Sequence, residues 1–329
     1  MATTVDARTQ LPSDAELDRL AIDWLLSSDE PGIRMQARRD LLGEDTAGDE
    51  ARVLNGPMMT ALLEGQQPDG GFGVDVYSKW KGAHWRLVSL VELGVPAGEP
   101  RALAAYETVL RWLTAARHLK SVPEIDGRSR RCASQEGNAL AVGVRLGLAG
   151  DPRVRLLAES LMGWQWPDGG WNCVRTASTT HSSFYETVTP LWGLAEYATA
   201  TGDRDAAQAN RRTAGFFLDH EVYRSHRTGA IGDPRWLELH WPPYYAYDVL
   251  WGLTVLARAG ALPDARAEDA LELVRSKRLA DGRWPAEGGI KWRTESLRRR
   301  DRDVVAWPRS GPSEMLTLNA VRVLRAALA

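Results

Sequence analysis

The chain has 329 residues, with 41 Lys and Arg against 43 Asp and Glu for a formal charge of -2, and 44% hydrophobic and 26% charged positions. That balance excludes a disordered tail protein and a general polyanion binder, because apolar content suffices for a core and no basic excess exists. No apolar run approaches the roughly 18 to 20 residues a membrane helix needs, and Met1 to Asp14 is polar without the apolar core of a signal peptide, so the expected compartment is the cytoplasm. Only two cysteines occur, Cys132 and Cys173, which fits a reducing environment and argues against a disulfide framework. Aromatic usage is skewed to 14 Trp against 4 Phe, a bias that suits a repeated packing device or an aromatic-lined cavity.

Residues 1–12 read as a disordered N-terminal segment and 13–329 as one domain. Apolar positions at helical spacing then predict helices over 15–27, 31–42, 49–65, 82–94, 101–119, 134–148, 152–165, 182–200, 203–219, 244–260, 264–278 and 312–328. No stretch alternates with the period of a strand. The pattern predicts an all-α fold in which the helices pair as six hairpins and close into an (α/α)6 barrel. Connections between hairpins are short, whereas those inside hairpins are long, over 66–81, 120–133, 166–181, 220–243 and 279–311. The long loops therefore gather on one face, where the inner helices begin and where a site is expected.

Three segments share a pattern: Gln66-Gln67-Pro68-Asp69-Gly70-Gly71-Phe72, Gln165-Trp166-Pro167-Asp168-Gly169-Gly170-Trp171, and the degenerate Leu279-Ala280-Asp281-Gly282-Arg283-Trp284-Pro285. Proline presets one dihedral, aspartate bonds nearby backbone and glycine accepts positive φ, so each predicts a turn followed by a packed aromatic ring. These turns resemble the QW-type repeats of the terpenoid cyclase and protein prenyltransferase superfamily, over roughly residues 49–329. The chain is similar to stand-alone, single-barrel, squalene-hopene-cyclase-like bacterial members. The resemblance implies an α/α toroid around a central cavity and isoprenoid chemistry. Class II cyclases carry an Asp-x-Asp-Asp proton donor; that run does not occur here, and Asp248 in Tyr244-Tyr245-Ala246-Tyr247-Asp248 is the nearest counterpart.

If the long loops form the mouth, the inner helix starts direct several titratable and aromatic groups into the cavity. Asp248 is the candidate general acid, with Glu186 as partner or base and His181 and His240 beside them, because carboxyls desolvated by neighbouring rings can stay protonated near neutral pH. Trp80, His84, Arg86, Glu136, Asn138, Tyr185, Trp241, Tyr244, Tyr245, Tyr247 and Glu314 are the candidate substrate contacts. Cys132, Cys173 and His181 have ligand types that suit zinc with one open position, although no cofactor is required by the sequence. Arginines at 128, 130, 131, 224 and 227 and the run Lys291 to Arg302 favour an anionic small molecule. The expected function is acid-initiated cyclisation of an isoprenoid or phosphorylated relative. The alternatives are a lyase or hydrolase acting on a polar anion through cavity Glu, Asp and His, and a non-catalytic binding protein. No nucleic-acid-binding motif occurs.

Overall fold

The computed structural model describes residues 13–244, 246–288 and 303–328. The fold is all-α: α1 (Asp14–Leu26), α2 (Pro31–Leu42), α3 (Glu50–Leu54), α4 (Pro57–Leu63), α5 (Ala83–Glu92), α6 (Pro100–Leu113), α7 (Ala116–Leu119), α8 (Ser134–Arg145), α9 (Pro152–Trp164), α10 (Phe184–Thr201), α11 (Arg204–Asp219), α12 (Val249–Arg258), α13 (Glu268–Ser276) and α14 (Glu314–Ala326). The proposed segment 1–12 and the basic run 291–302 lie outside the described residues.

Two kinds of helix follow from two kinds of sequence. In α6, α9 and α11 the buried residues form one stripe, as in Ala102, Ala105, Tyr106, Val109, Leu110 and Leu113, and a carboxylate at Glu99, Asp151 or Asp203 caps the free N-H groups of the first turn. In α5, α8 and α12 nearly every residue is buried, including polar ones, so these helices are packed on all sides. Each fully packed helix lies against an amphipathic neighbour in sequence, α5 with α6, α8 with α9, α10 with α11 and α12 with α13. The packed helices also touch in the order α5, α8, α10, α12, α14, α2.

The predicted helix 49–65 is two helices, because Gly56-Pro57 interrupts it and restarts the chain with proline at the first helical position. The predicted helix 244–260 starts only at Val249. Pro242, Pro243 and a left-handed Tyr244 (φ 44°) keep the preceding segment irregular. Two small antiparallel pairs were not expected, β1 (Glu124–Ile125) with β2 (Arg128–Ser129) and β3 (Pro285–Ala286) with β4 (Gly311–Pro312). The first is joined by Asp126-Gly127 at φ 50° and 66°, the pair of positive values that a tight hairpin requires.

The three turns share one geometry. In each, a backbone N-H and C=O close the loop: Gln67 to Gly71, Trp166 to Gly170 and Leu279 to Arg283, all at 2.8 Å. Gln66 and Gln165 use their amide to bind the turn carbonyl at 3.0 Å and a carbonyl of the next amphipathic helix, Arg101 at 2.8 Å and Ala209 at 3.0 Å. In the third copy Arg278 replaces glutamine, donating to the Gly282 carbonyl at 3.3 Å. Gly70, Gly169 and Gly282 sit at φ 87°, 93° and 85°, and a Cβ on each would stand 2.2, 2.4 and 2.2 Å from the carbonyls of Ala104, Arg212 and Leu17. The turns thus dock each hairpin on the helix that follows it, and the third docks on α1. Trp171 and Trp284 are buried, and their indole N-H groups bind the carbonyls of Leu161 and Val274 at 3.0 and 2.7 Å, as a structural role for these rings predicts.

Candidate functional site

The tightest chemistry-bearing cluster lies where α8 and α10 begin. Gly137 lets the backbone of α8 approach α10 so closely that a Cβ there would meet Pro190 nitrogen at 2.3 Å, and one on Gly193 would meet the Gly137 carbonyl at 2.6 Å. The loop before α8 is tied to the strand of chain after the second turn by a parallel bridge between Arg130 and Asn172 and by Arg131 N-H to the Asn172 carbonyl at 3.1 Å. That bridge brings Cys132 beside Cys173, whose place is fixed in turn by Trp171. The ligand atoms of Cys132, Cys173 and Glu186 all lie within 4.8 Å of one another.

Glu186 is oriented from both sides. Its Oε2 accepts from Ser134 N-H at 3.1 Å and Ser134 hydroxyl at 2.8 Å, and its Oε1 accepts from the Cys173 thiol at 3.4 Å. Burial pushes the Glu186 carboxyl above its ordinary value despite those bonds. The hydrogen bond from Cys173 holds the Cys132 thiol below its ordinary value, while Cys173 is pushed up by the same bond and by burial. The two thiols therefore titrate as a coupled pair whose shifts run in opposite directions. Behind them Glu136 accepts from Arg131 Nε at 3.0 Å and lies 3.0 Å from His118 Nε2, while its other oxygen is buried without a protein partner. Tyr77, whose phenol is pushed up by burial, is hydrogen-bonded to Gln135 and faces Glu186, Cys132 and Glu136.

Of the three expected zinc ligands, the structure brings Cys132 and Cys173 together but not His181. His181 is exposed, and it is the backbone carbonyl of His181 that accepts from Asn172 Nδ2 at 2.9 Å. Glu186 is the third donor that lies beside the two thiols. The donor set suits zinc, since two thiols and one carboxylate are borderline-soft ligands, and their spread is somewhat wider than the roughly 3.7 Å between ligands of a tetrahedral ion.

Asp248 and His240 form a separate unit. Asp248 caps α12 by accepting from Trp251 N-H at 2.8 Å, and its second oxygen accepts from His240 N-H at 3.0 Å and lies 2.9 Å from His240 Nδ1. Burial opposes a charge on His240, but Asp248 outweighs it and the imidazole pKa is raised. Both carboxylate oxygens are therefore engaged, which is the geometry of a cap and counter-ion. Among the described residues, no hydrogen bond joins this unit to Glu186.

The remaining expected contacts divide into three groups. Trp80, Trp85 and Tyr244 form a buried aromatic cluster in which Trp80 stacks on Tyr244 at 4.5 Å and 3°. His84 lies against Trp85 and Tyr77, its Nε2 has no protein partner, and burial lowers its pKa to about 3. Asn138 donates to the Tyr244 carbonyl at 3.4 Å with its own oxygen unmatched, and Trp241 is buried 6.2 Å from Trp307 with its N-H unmatched. Arg86, Tyr185, Tyr247 and Glu314 are engaged in packing. Arg86 stacks on Phe72 and binds the carbonyls of Leu62 and Glu64, Tyr185 hydroxyl accepts from Trp236, Tyr247 hydroxyl donates to the Val222 carbonyl, and Glu314 bonds Ser28. Tyr245 lies outside the described residues.

The arginines of the 128–131 loop are also built in. Arg130 is buried with its guanidinium 4.5 Å from the Trp166 ring centre, and Arg131 is spent on Glu136. Sequence reasoning missed Tyr77, His118 and Arg131 as neighbours of the thiols, because loop-to-loop pairing is invisible to helical periodicity. Glu136 three residues into α8 was the available signal.

No family model matches the chain, and no curated protein matches it. A solved structure described as a protein from Actinoplanes is similar over 96% of this chain and 100% of that chain, with 18% identity and a TM-score of 0.46.

Proposed function

We propose that the six helix pairs close into a single (α/α)6 toroid whose rim cluster, Cys132, Cys173 and Glu186, is a zinc centre for a lyase or hydrolase acting on a small polar anion. The observation that carries this reading is the convergence of those three donor atoms within 4.8 Å. Support for closure comes from the docking of the last turn on α1, where Gly282 abuts the Leu17 carbonyl, and from the packing of α14 on both α1 and α2.

Bound at these residues, zinc supplies Lewis acidity at an open fourth position. Ser134 orients Glu186 through two hydrogen bonds, a second layer of contacts of the kind that fixes ligand direction. The protonated Tyr77 phenol is the donor placed to bind a substrate oxygen, and the unmatched oxygen of Glu136 is the acceptor placed to take a proton. Orphaned buried atoms on His84, Asn138, His240 and Trp241 favour a polar substrate over a hydrocarbon, because each costs free energy until something binds it. Two reduced cysteines at such a site accord with a cytoplasmic setting.

The test is elemental analysis of protein purified without chelator. About one equivalent of zinc is expected in the wild type and less than about a tenth in Cys173→Ser. A chelator and Cys173→Ser should each remove turnover of anionic esters in a substrate screen, whereas Asp248→Asn should retain it. A zinc-free wild-type protein would reject the centre. The isoprenoid reading retains one supporting observation, the Trp80, Trp85 and Tyr244 cluster, and cyclisation lost in Asp248→Asn but preserved in Cys173→Ser would favour it.

A further inference from the structure

The other end of the helix assembly carries a second polar site, at the opposite end of α8 from the thiols. There a cavity of about 610 Å³ is lined by Gln36, Arg39, Asp40, Arg145, Arg258 and Arg322 among others. Arg145 and Arg258 are the last residues of α8 and α12, Arg322 is in the last turns of α14, and Glu92 ends α5. Glu92 is buried, and Arg258 grips it through two bonds of 2.8 Å while Arg145 reaches it at 3.1 Å and Glu196 at 2.8 Å. Arg322 donates to Gln36 at 2.9 Å and Asn319 at 3.1 Å and also pairs with Asp40, which Arg39 holds as well.

Four guanidiniums thus meet three carboxylates, Asp40, Glu92 and Glu196, in direct contact. Of the two other acids on the wall, Asp49 is taken by Arg38 and Arg52, and Glu50 is exposed. Part of the surplus complements the helix C-termini that converge here. Each of four helix ends contributes one guanidinium, and together they leave one positive charge beyond the three carboxylates they contact. Burial lowers the Arg322 pKa to about 10 even with Asp40 beside it, so an added anion would favour its charged form.

We propose that this pocket binds a small phosphorylated molecule, with the phosphoryl group seated on Arg39, Arg145, Arg258 and Arg322. Guanidinium forks match phosphate oxygens two at a time, and several of them held on different rigid helices form a preorganised cradle. The volume lies within the range of small-metabolite sites. Because the ligand would touch α2, α8, α12 and α14 together, it would also brace those helices against one another.

Pyrophosphate is the probe, titrated calorimetrically into the full-length protein at low ionic strength. One-to-one binding with a Kd below about 1 mM is expected, together with a rise in Tm. Arg39→Ala, a half-exposed position whose loss leaves the interior intact, should weaken binding by about fivefold, and Arg322→Lys by about tenfold or more. If Arg322→Lys does not fold, Arg39→Ala decides. Binding must persist in Cys173→Ser, which separates this pocket from the zinc centre. The proposal is overturned by absence of heat and of any Tm shift at about 10 mM pyrophosphate, by unchanged affinity in Arg39→Ala, or by glutarate binding as tightly as pyrophosphate.

Discussion

The two ends of the helix assembly obey the same electrostatic rule and reach opposite results. Where the packed helices begin, carboxylates such as Glu136, Glu186 and Asp248 sit in or beside first turns, as the helix dipole favours, and bind backbone N-H groups or neighbouring cations. Where those helices finish, arginines occupy the last turns, and Glu92, which the dipole disfavours, survives only because Arg145 and Arg258 enclose it. At the finishing end the buried charged atoms of Glu92, Arg145, Arg258 and Arg322 are all matched. At the starting end Glu136, Asn138, His84 and His240 each keep an atom without a protein partner. The starting end leaves buried atoms without a protein partner, whereas the finishing end engages each of its buried charged atoms and keeps one guanidinium more than the carboxylates it contacts.

Substitutions at the two ends should therefore differ in what they damage. The largest effect is expected for Glu92→Gln, which leaves the Arg258 guanidinium without its anion and Arg145 with Glu196 alone, and should lower unfolding free energy by about 3 to 5 kcal/mol in urea denaturation. A loss below about 1 kcal/mol would mean that the arginines do not depend on Glu92. Asp248→Ala removes the α12 cap and the partner of His240 together, and about 2 to 3 kcal/mol is expected by the same measurement.

His84 gives a pH signature at the starting end. Its folded pKa of about 3 lies below the unfolded value of roughly 6.5, so its contribution is fully present above about pH 6.5 and is lost as pH falls toward 3. Wild type should lose up to about 1.4 kcal/mol per pH unit below 6.5 relative to His84→Gln, read from paired urea curves. His240, raised by Asp248, works in the other direction: its contribution is present below about pH 6.5 and fades as pH rises through the folded value. Parallel acid profiles of wild type and His84→Gln would show that the imidazole is reached by solvent. The smallest stability change, under about 1 kcal/mol, is expected for Glu186→Gln, which retains an acceptor for Ser134; its zinc content should nonetheless fall sharply.

The helical class and most element positions were legible because strong periodicity and proline or glycine punctuation mark them, as at Pro152 and Gly202. The three Asp-Gly turns were legible as turns, and the structure adds why their glycines are needed: each faces a carbonyl of another helix. The Asp126-Gly127 hairpin was within reach of the sequence too, since Asp-Gly is the strongest short hairpin signal, but its two-residue strands carry no alternation. The structure brings Cys132 and Cys173, which the sequence grouped, close together. Their third companion was not legible, because His181 and Glu186 are five residues apart at a helix entrance and only the cap geometry decides which turns inward. The arginine cluster lies at helix C-termini and leaves no mark on the long loops. Its signal was a glutamate in the last turn of an otherwise apolar helix, which is the wrong charge for that position unless cations surround it.

The seating of α1 has a consequence for the order in which the molecule can assemble. Leu17 takes the Gly282 turn, and Asp18 binds Arg278 at 2.5 Å across 260 residues of chain. During synthesis the first helix leaves the ribosome long before the partner it needs exists, so its apolar face, with Ala21, Ile22 and Leu25, must wait uncovered or find temporary cover. Such distant pairing slows the final step of folding, since so long a loop must be closed before any contact rewards it.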